Sequence, residues 1–183
     1  MKYFSSTTAE FQNLGKGVLV EGHYFEKRAG ASGLVVFLSH SSTDKEALPQ
    51  VIGFLENFGA KVYIDKTDKE LPKKTSAETG VKLKDRISQC NKFVVLVTAN
   101  SKNSRWIPWE LGIADEKKKL PNVAILPDVG NQSNAEWSEQ EYLGLYPRIV
   151  NATFSGHPNP VWMVLDHQNN TGTELGEWLK RRS

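Results

Sequence analysis

The sequence predicts a doubly wound, flavodoxin-like α/β fold with a parallel sheet of five strands and helices on both faces. Continuous apolar runs such as LVVFLS (34–39) and KFVVLVT (92–98) are typical of strands buried on both faces. Between such runs, apolar residues recur at helical spacing, as at Leu48, Val51 and Leu55. The two patterns alternate along the chain, and this alternation favours a parallel sheet with right-handed crossovers.

The strands and the helices between them can be assigned in chain order. The five strands are predicted at 34–39, 61–65, 92–98, 123–127 and 148–152. The helices are predicted to begin at a capping box formed by Thr43 and Glu46, at a second capping box formed by Thr75 and Glu78, and at Pro108. Pro49 indicates a delayed start for the first of these helices, and Gly59 is well placed to end it.

Two segments flank the alternating region, which we assign to residues 33–152. The N-terminal extension, 1–32, contains a predicted short helix and ends in a linker-like AGASG stretch. The C-terminal extension, 153–183, contains an apolar run at 161–166 that predicts a strand, followed by a helical pattern in the last dozen residues.

Composition excludes several classes of function. Lys and Arg total 23 and Asp and Glu total 21, so the net charge of +2 argues against nucleic acid as a partner. Cys90 is the single cysteine, and the four histidines are scattered, so we expect neither a disulfide nor a metal site. The sequence shows neither an apolar signal-peptide core nor 18 consecutive apolar residues, so we expect a cytoplasmic protein with no membrane contact.

The predicted topology directs attention to one crevice. In doubly wound sheets, ligands bind beyond the carboxyl ends of the strands at the switch point, which for strand order 2-1-3-4-5 lies between strands one and three. The loops there are 39–44 and 99–110, and the second contains SRWIPWE (104–110). The usual nucleotide-binding and hydrolase motifs, GxGxxG, GxxxxGK[ST] and GxSxG, are absent.

Two interpretations of SRWIPWE remain open at this point. With Pro108 at the first helical position, Glu110 would be the third helical residue, where an acid is common for structural reasons alone. Alternatively, Glu110 is a fixed carboxylate at the mouth of the crevice that stabilises a developing cation. Trp106 and Trp109 would then offer flat faces to a heterocycle, although core or rim packing is the commoner role of such residues, and Trp109 is expected to be mainly structural.

Four motifs in order resemble the TIR domain (Toll/interleukin-1 receptor domain), in its bacterial form. They are VFLSHSSTDKE (36–46), GAKVYID (59–65), FVVLVT (93–98) and SRWIPWEL (104–111), and the resemblance covers about residues 33–152. The recurrent W-x-x-x-E-L pattern of the family is Trp106 to Leu111 in this sequence.

The resemblance implies an activity and a set of site residues. Many TIR domains of this type cleave NAD+ at the nicotinamide–ribose bond, with NAD+ as substrate and without a cofactor or metal. The catalytic glutamate of the family falls on Glu110 and its preceding tryptophan on Trp106. Four further residues are implied to line the pocket: Ser39, His40, Ser41 and, more weakly, Asp65.

A finer resemblance links the chain to the TIR proteins of Thoeris-type anti-phage defence. It is carried by LPKKTSAETGVKLKDRISQC (71–90), PWELGIADEKK (108–118) and EYLGLYPRI (141–149). Such proteins convert NAD+ into a nucleotide signal that activates a downstream effector. The family also implies self-association, and the polar segment 66–80 stands where the family has its BB loop.

Three functions are weighed. The first is an NAD+ glycohydrolase or ADP-ribosyl cyclase, whose acceptor could be water, the adenine, a ribose hydroxyl or another small molecule. The second is a non-catalytic module that works by homotypic TIR assembly. The third is a nucleoside deoxyribosyltransferase-like enzyme with the carboxylate as nucleophile. The paired Glu110 and Trp106 favour the first, because an adaptor needs neither.

Overall fold

The computed structural model describes residues 1–22, 34–65, 68, 76–130, 141–155 and 157–181. The helices are α1 (Ala9–Leu14), α2 (Leu48–Asn57), α3 (Ala77–Gln89), α4 (Trp106–Lys118) and α5 (Leu175–Lys180). The strands are β1 (Val35–Ser39), β2 (Lys61–Tyr63), β3 (Lys92–Val97), β4 (Val123–Pro127), β5 (Arg148–Phe154), β6 (His157–Asp166) and β7 (Thr171–Glu174). Among these described helices, none is long and apolar enough to cross a membrane.

The sheet has seven strands in the order β2-β1-β3-β4-β5-β6-β7, so the prediction of a five-stranded sheet was wrong. The first five strands are parallel and have the predicted order. β6 and β7 then run antiparallel and extend the sheet beyond β5. A sheet that ended at β5 would leave an open row of backbone donors and acceptors, and β6 covers it.

Alternation of side chains along the strands divides the core into two apolar clusters. Val36 and Leu38 of β1 face the cluster that contains α1, α2 and α5. Phe37, between them, faces the cluster that contains α3 and α4. Because successive side chains of a strand point to opposite faces, the continuous apolar runs of the sequence supply both layers at once.

The segments on both sides of 33–152 contribute to the same core. Phe4 and Phe11 at the amino end are fully buried, with ring centroids 4.4 Å apart. Leu175, Trp178 and Leu179 of α5 are buried in the same cluster. The core thus draws on nearly the full length of the described chain.

Lys92 anchors α5 at the amino end of the sheet. Its Nζ donates to Asn122 Oδ1 at 2.5 Å and lies 4.9 Å from the centre of the Trp178 ring. The Trp178 indole N–H in turn donates to the Pro121 carbonyl at 2.8 Å. Burial, with a smaller contribution from the Arg181 charge, lowers the pKa of Lys92 to about 8. These contacts hold the end of the sheet opposite to the predicted crevice.

Helix boundaries differ from the predictions at two places. α2 begins at Leu48, after an Ala47 N-cap, with Pro49 in its first turn, so the capping box of Thr43 and Glu46 was wrong and the delayed start was right. α3 has its capping box at Ser76 and Thr79, one residue later than predicted. Gly59 follows the C-cap of α2 with φ +87°, a conformation that favours glycine.

The close approach of α1 to α2 depends on Gly53. A Cβ at this buried position would lie 2.1 Å from the Leu14 carbonyl oxygen and 2.6 Å from its carbon. Because both atoms belong to the backbone, a larger residue would have to displace the end of α1.

Gly53→Ala should therefore destabilise the protein by about 1–3 kcal/mol, the usual cost of overpacking. Gly112→Ala is the matched control, since Gly112 is exposed on α4 and an added Cβ meets no atom within 4 Å. It should be neutral or stabilise by up to about 1 kcal/mol through helix propensity. Urea unfolding of the two variants checks this, and equal stability would show that the helices separate freely.

Candidate active site

The site lies where the loops after β1 and β3 meet, at the predicted switch point. The centre of it is a hydrogen bond from the Ser39 hydroxyl to Glu110 Oε2, 2.5 Å long. Ser39 is 1% exposed and Glu110 is 4% exposed. This short hydrogen bond fixes one oxygen of the carboxyl group. The structure thus brings together the two residues from separate loops that sequence placed in one crevice.

Glu110 occupies a different helical position from the one predicted. α4 begins at Trp106, with Arg105 as N-cap, so Glu110 is the fifth helical residue and no acid lies in the first turn. Pro108 is the third residue, where its missing N–H still removes no intrahelical bond. The dipole effect fades beyond the first turn, so the helix end contributes little at this position, and the hydrogen bond from Ser39 supports the buried carboxylate.

His40 and Ser41 follow Ser39 and are also buried, at 6% and 5% exposure. His40 Nδ1 lies 3.3 Å from the Leu38 carbonyl oxygen. The Ser41 hydroxyl lies 2.9 Å from the Thr43 hydroxyl. Both residues are therefore held within the β1 loop by short-range contacts.

Asp65 stands apart from these residues. It is half-buried directly after β2, and its charge acts on the Tyr63 hydroxyl, whose pKa is raised mainly by burial. In the described part of the chain, no hydrogen bond joins Asp65 to Ser39 or Glu110. Nearby, Asp68 accepts from Tyr63 at 2.9 Å and from Arg86 at 2.8 Å, which fixes the beginning of the 66–80 segment to α3. The remainder of that segment up to 75 lies outside the described residues.

The two tryptophans form an exposed corner on the rim. Trp106 lies one helical turn before Glu110, and Trp109 meets it edge to face at 86°, with ring centroids 5.4 Å apart. Both are 37% exposed, so neither lies in the core, and rim packing is one of the alternatives left open for them above.

The sequence analysis missed Asp44, which joins the two loops. It is 4% exposed and accepts three hydrogen bonds. Its Oδ2 accepts from the Ser41 N–H at 3.1 Å, and its Oδ1 accepts from Thr98 and Asn100 of the β3 loop, each at 2.9 Å. The spacing Ser41-x-x-Asp44 directly after a buried strand was the available signal. We attributed the segment instead to a capping box.

Replacing Asp44 should loosen both loops. Asp44→Ala removes all three hydrogen bonds, and a bond to a charged group contributes about 1.5–3 kcal/mol. Asp44→Asn keeps one acceptor oxygen but turns an NH₂ group toward a donor, so its stability should lie between those of Asp44→Ala and the wild type. Asp85→Ala, at an exposed position on α3, should change stability by less than about 0.5 kcal/mol. Denaturant unfolding of the three variants tests this, and an Asp44→Ala protein as stable as the Asp85→Ala protein would contradict it.

The 3-10 turn at 141–145 packs against the outer side of the site. Tyr142 packs against the apolar cluster of α3 and α4, and burial raises its pKa. Burial, with a smaller contribution from the Asp115 carboxylate of α4, raises the pKa of Tyr146 to about 12. These contacts pack the turn against the cluster that contains α4.

Comparison with known proteins identifies the family. The family model described as "TIR domain" matches residues 36–149. A Bacillus cereus (strain MSX-D12) protein named "Probable 3' cyclic ADP-D-ribose synthase ThsB'" is 38% identical over 120 residues, 64% of this chain and 61% of its own length. A Cytobacillus dafuensis protein named "Putative cyclic ADP-D-ribose synthase TIR2" is 34% identical over 104 residues, 55% of this chain and 27% of its own length. The chain thus spans less than two thirds of either relative.

The matched region runs from β1 into β5, so it includes both loops of the crevice and all of α4. It therefore contains Ser39, Asp44, Trp106 and Glu110. Because the family model matches more than half of the chain, the chain belongs to the TIR domain family.

Proposed function

We propose that this TIR domain cleaves NAD+ at the nicotinamide–ribose bond and makes an ADP-ribose-derived signal. The proposal rests on the buried Glu110 carboxylate, which accepts a hydrogen bond from Ser39 at the switch point of the sheet. The names of the two relatives, both cyclic ADP-D-ribose synthases, support the same chemistry.

The proposed reaction requires charge stabilisation more than proton transfer. When the C1′–N bond breaks, the bonding electron pair goes to the nicotinamide nitrogen, which leaves neutral from a cationic ground state. The ribose is left with oxocarbenium character. A carboxylate whose position is fixed before the reaction stabilises that charge without reorganising, which is the most effective use of such a group.

Ser39 has a positioning part in this proposal. Its hydroxyl donates to one oxygen of Glu110, which limits rotation of the carboxylate. Trp106, exposed one turn earlier on the same helix, offers a flat face to a ring of the substrate. His40 and Ser41 line the β1 side of the crevice, and Asp65 is the weakest member of the predicted set. We propose no cofactor or metal for this step.

The fate of the ribosyl cation distinguishes a cyclase from a hydrolase. We propose that an atom of the ADP-ribose itself captures the cation, so that the product is cyclic, in line with the relatives' names. Capture by water would give ADP-ribose instead. A cyclic nucleotide would suit a diffusible signal to an effector in Thoeris-type defence, and we propose that role for the chain.

Glu110→Gln should reduce nicotinamide release by about 10²–10³-fold, because it removes the charge while its amide oxygen can still accept from Ser39. Glu116→Gln is the matched control, since Glu116 is an exposed acid on the same helix that pairs with Lys117. It should keep full activity. Release of nicotinamide is measured by chromatography, and circular dichroism establishes that both variants fold. Normal turnover in folded Glu110→Gln would refute the proposed role.

We further propose that activity depends on self-association through 66–80. Asp68 of this segment is buried and paired with Arg86, and the charges left for contacts between copies are Lys66, Lys69, Glu70, Lys73 and Lys74. Exposed ion pairs contribute only about 0–1 kcal/mol each. Contacts of this kind are reversible and weakened by salt.

Turnover per molecule should therefore rise with protein concentration and fall as salt is added. Reversing Lys73 and Lys74 to Glu should flatten the dependence on concentration while the monomer stays folded. A dilution series with the molecular mass measured at each point is the test. Constant specific activity from a monomer would contradict assembly, whereas assembly without any turnover would favour the non-catalytic module.

A further inference from the structure

A groove of about 660 Å³ lies between the first half of α3 and the start of α4. The residues that matter to the argument are Gly80, Val81 and Lys84 from α3 and Arg105, Trp106 and Trp109 from α4 and its N-cap. Its volume is within the range of about 300–1,000 Å³ typical of small-molecule sites.

Two of the residues that line the groove are tryptophans. Trp106 and Trp109 stand nearly at right angles and are each 37% exposed. A Cβ at Gly80 would only just touch the Trp109 ring, at 3.7 Å, so the small residue leaves that indole uncovered. Val81 is 59% exposed beside them. A contiguous cluster of exposed apolar side chains commonly marks a binding surface.

The edges of the groove are cationic. Lys84 Nζ lies 6.0 Å from the centre of the Trp109 ring, and Arg105 flanks Trp106. Neither cation forms an ion pair with an acid among the described residues, whereas Lys82 on the same helix pairs with Glu78 at 3.0 Å. No acidic side chain lines the groove within the described ranges. The charge therefore favours an anionic ligand.

We propose that this groove binds the ADP half of the dinucleotide, with the adenine against the indoles and the phosphates at Lys84 and Arg105. Any nucleobase can stack on the face of an indole ring. The planar guanidinium group of Arg can donate two hydrogen bonds to phosphate oxygens. The assignment of the ligand as part of NAD+ rests on the proposed function. Trp106, which lines the groove, lies four residues and about 6 Å along the helix axis from Glu110, and we infer that a dinucleotide can span this separation.

ADP-ribose is the probe, because it carries the adenine and both phosphates and its binding requires no turnover. Isothermal titration calorimetry of wild type should give a measurable Kd that weakens as salt is raised. Lys84→Glu combined with Arg105→Glu should weaken binding by tenfold or more. The control is Lys16→Glu combined with Lys61→Glu, which changes the net charge equally at exposed positions outside the groove. It should bind as wild type does.

Trp109→Ala should weaken ADP-ribose binding roughly 5- to 150-fold, the range expected for loss of one stacked base. Trp109→Phe should recover most of the affinity, since it restores a flat ring. The same variants should raise the KM for NAD+ more than they lower kcat, which a general loss of folding would not do. Thermal unfolding of each variant identifies any that fail to fold.

The outcomes separate this inference from the proposed function. If wild type releases nicotinamide but the groove variants keep the wild-type Kd and KM, the groove assignment is wrong and the activity stands. If the groove variants lose ADP-ribose binding but wild type releases no nicotinamide, the groove stands and the activity is wrong. If wild type binds no ADP-ribose at millimolar concentration, the groove assignment is also overturned.

Discussion

A buried carboxylate needs hydrogen-bond donors, and Ser39 supplies one to Glu110 at the topological switch point of the sheet. β1 lies beside both β2 and β3, so the loops that leave β1 and β3 diverge to opposite faces and open a crevice between them. Glu110 reaches back into that crevice from α4. The position of the carboxylate thus depends on strand order as much as on the helix that carries it.

The two ends of the sheet are held in different ways. At the carboxyl end, Asp44 gathers donors from both crevice loops, so a polar network sets the geometry around Ser39. At the amino end, apolar packing of α5 and the contacts of Lys92 close the core. A site that needs fixed charges benefits from this arrangement, because buried hydrogen bonds are directional whereas apolar contacts are not.

The sequence was sufficient for the order of the first five strands and for the crevice that holds Ser39 and Glu110, because buried parallel strands leave long apolar runs. It predicted a strand at 161–166, which lies within β6, but it was insufficient for β7, which is short and polar and pairs with β6. It also misplaced the start of α4, because Pro108 is tolerated anywhere in a first turn. Asp44 was missed because its partners, Thr98 and Asn100, are distant in sequence.

We propose that the fixed carboxylate of this fold promotes loss of nicotinamide from NAD+. The most direct test is to incubate the purified protein with NAD+ and to quantify every product by mass spectrometry. We expect nicotinamide and one ADP-ribose-derived product in equal amounts, and the mass of that product shows whether water was added. Intact NAD+ as the sole nucleotide recovered, at every protein concentration tried, would contradict it.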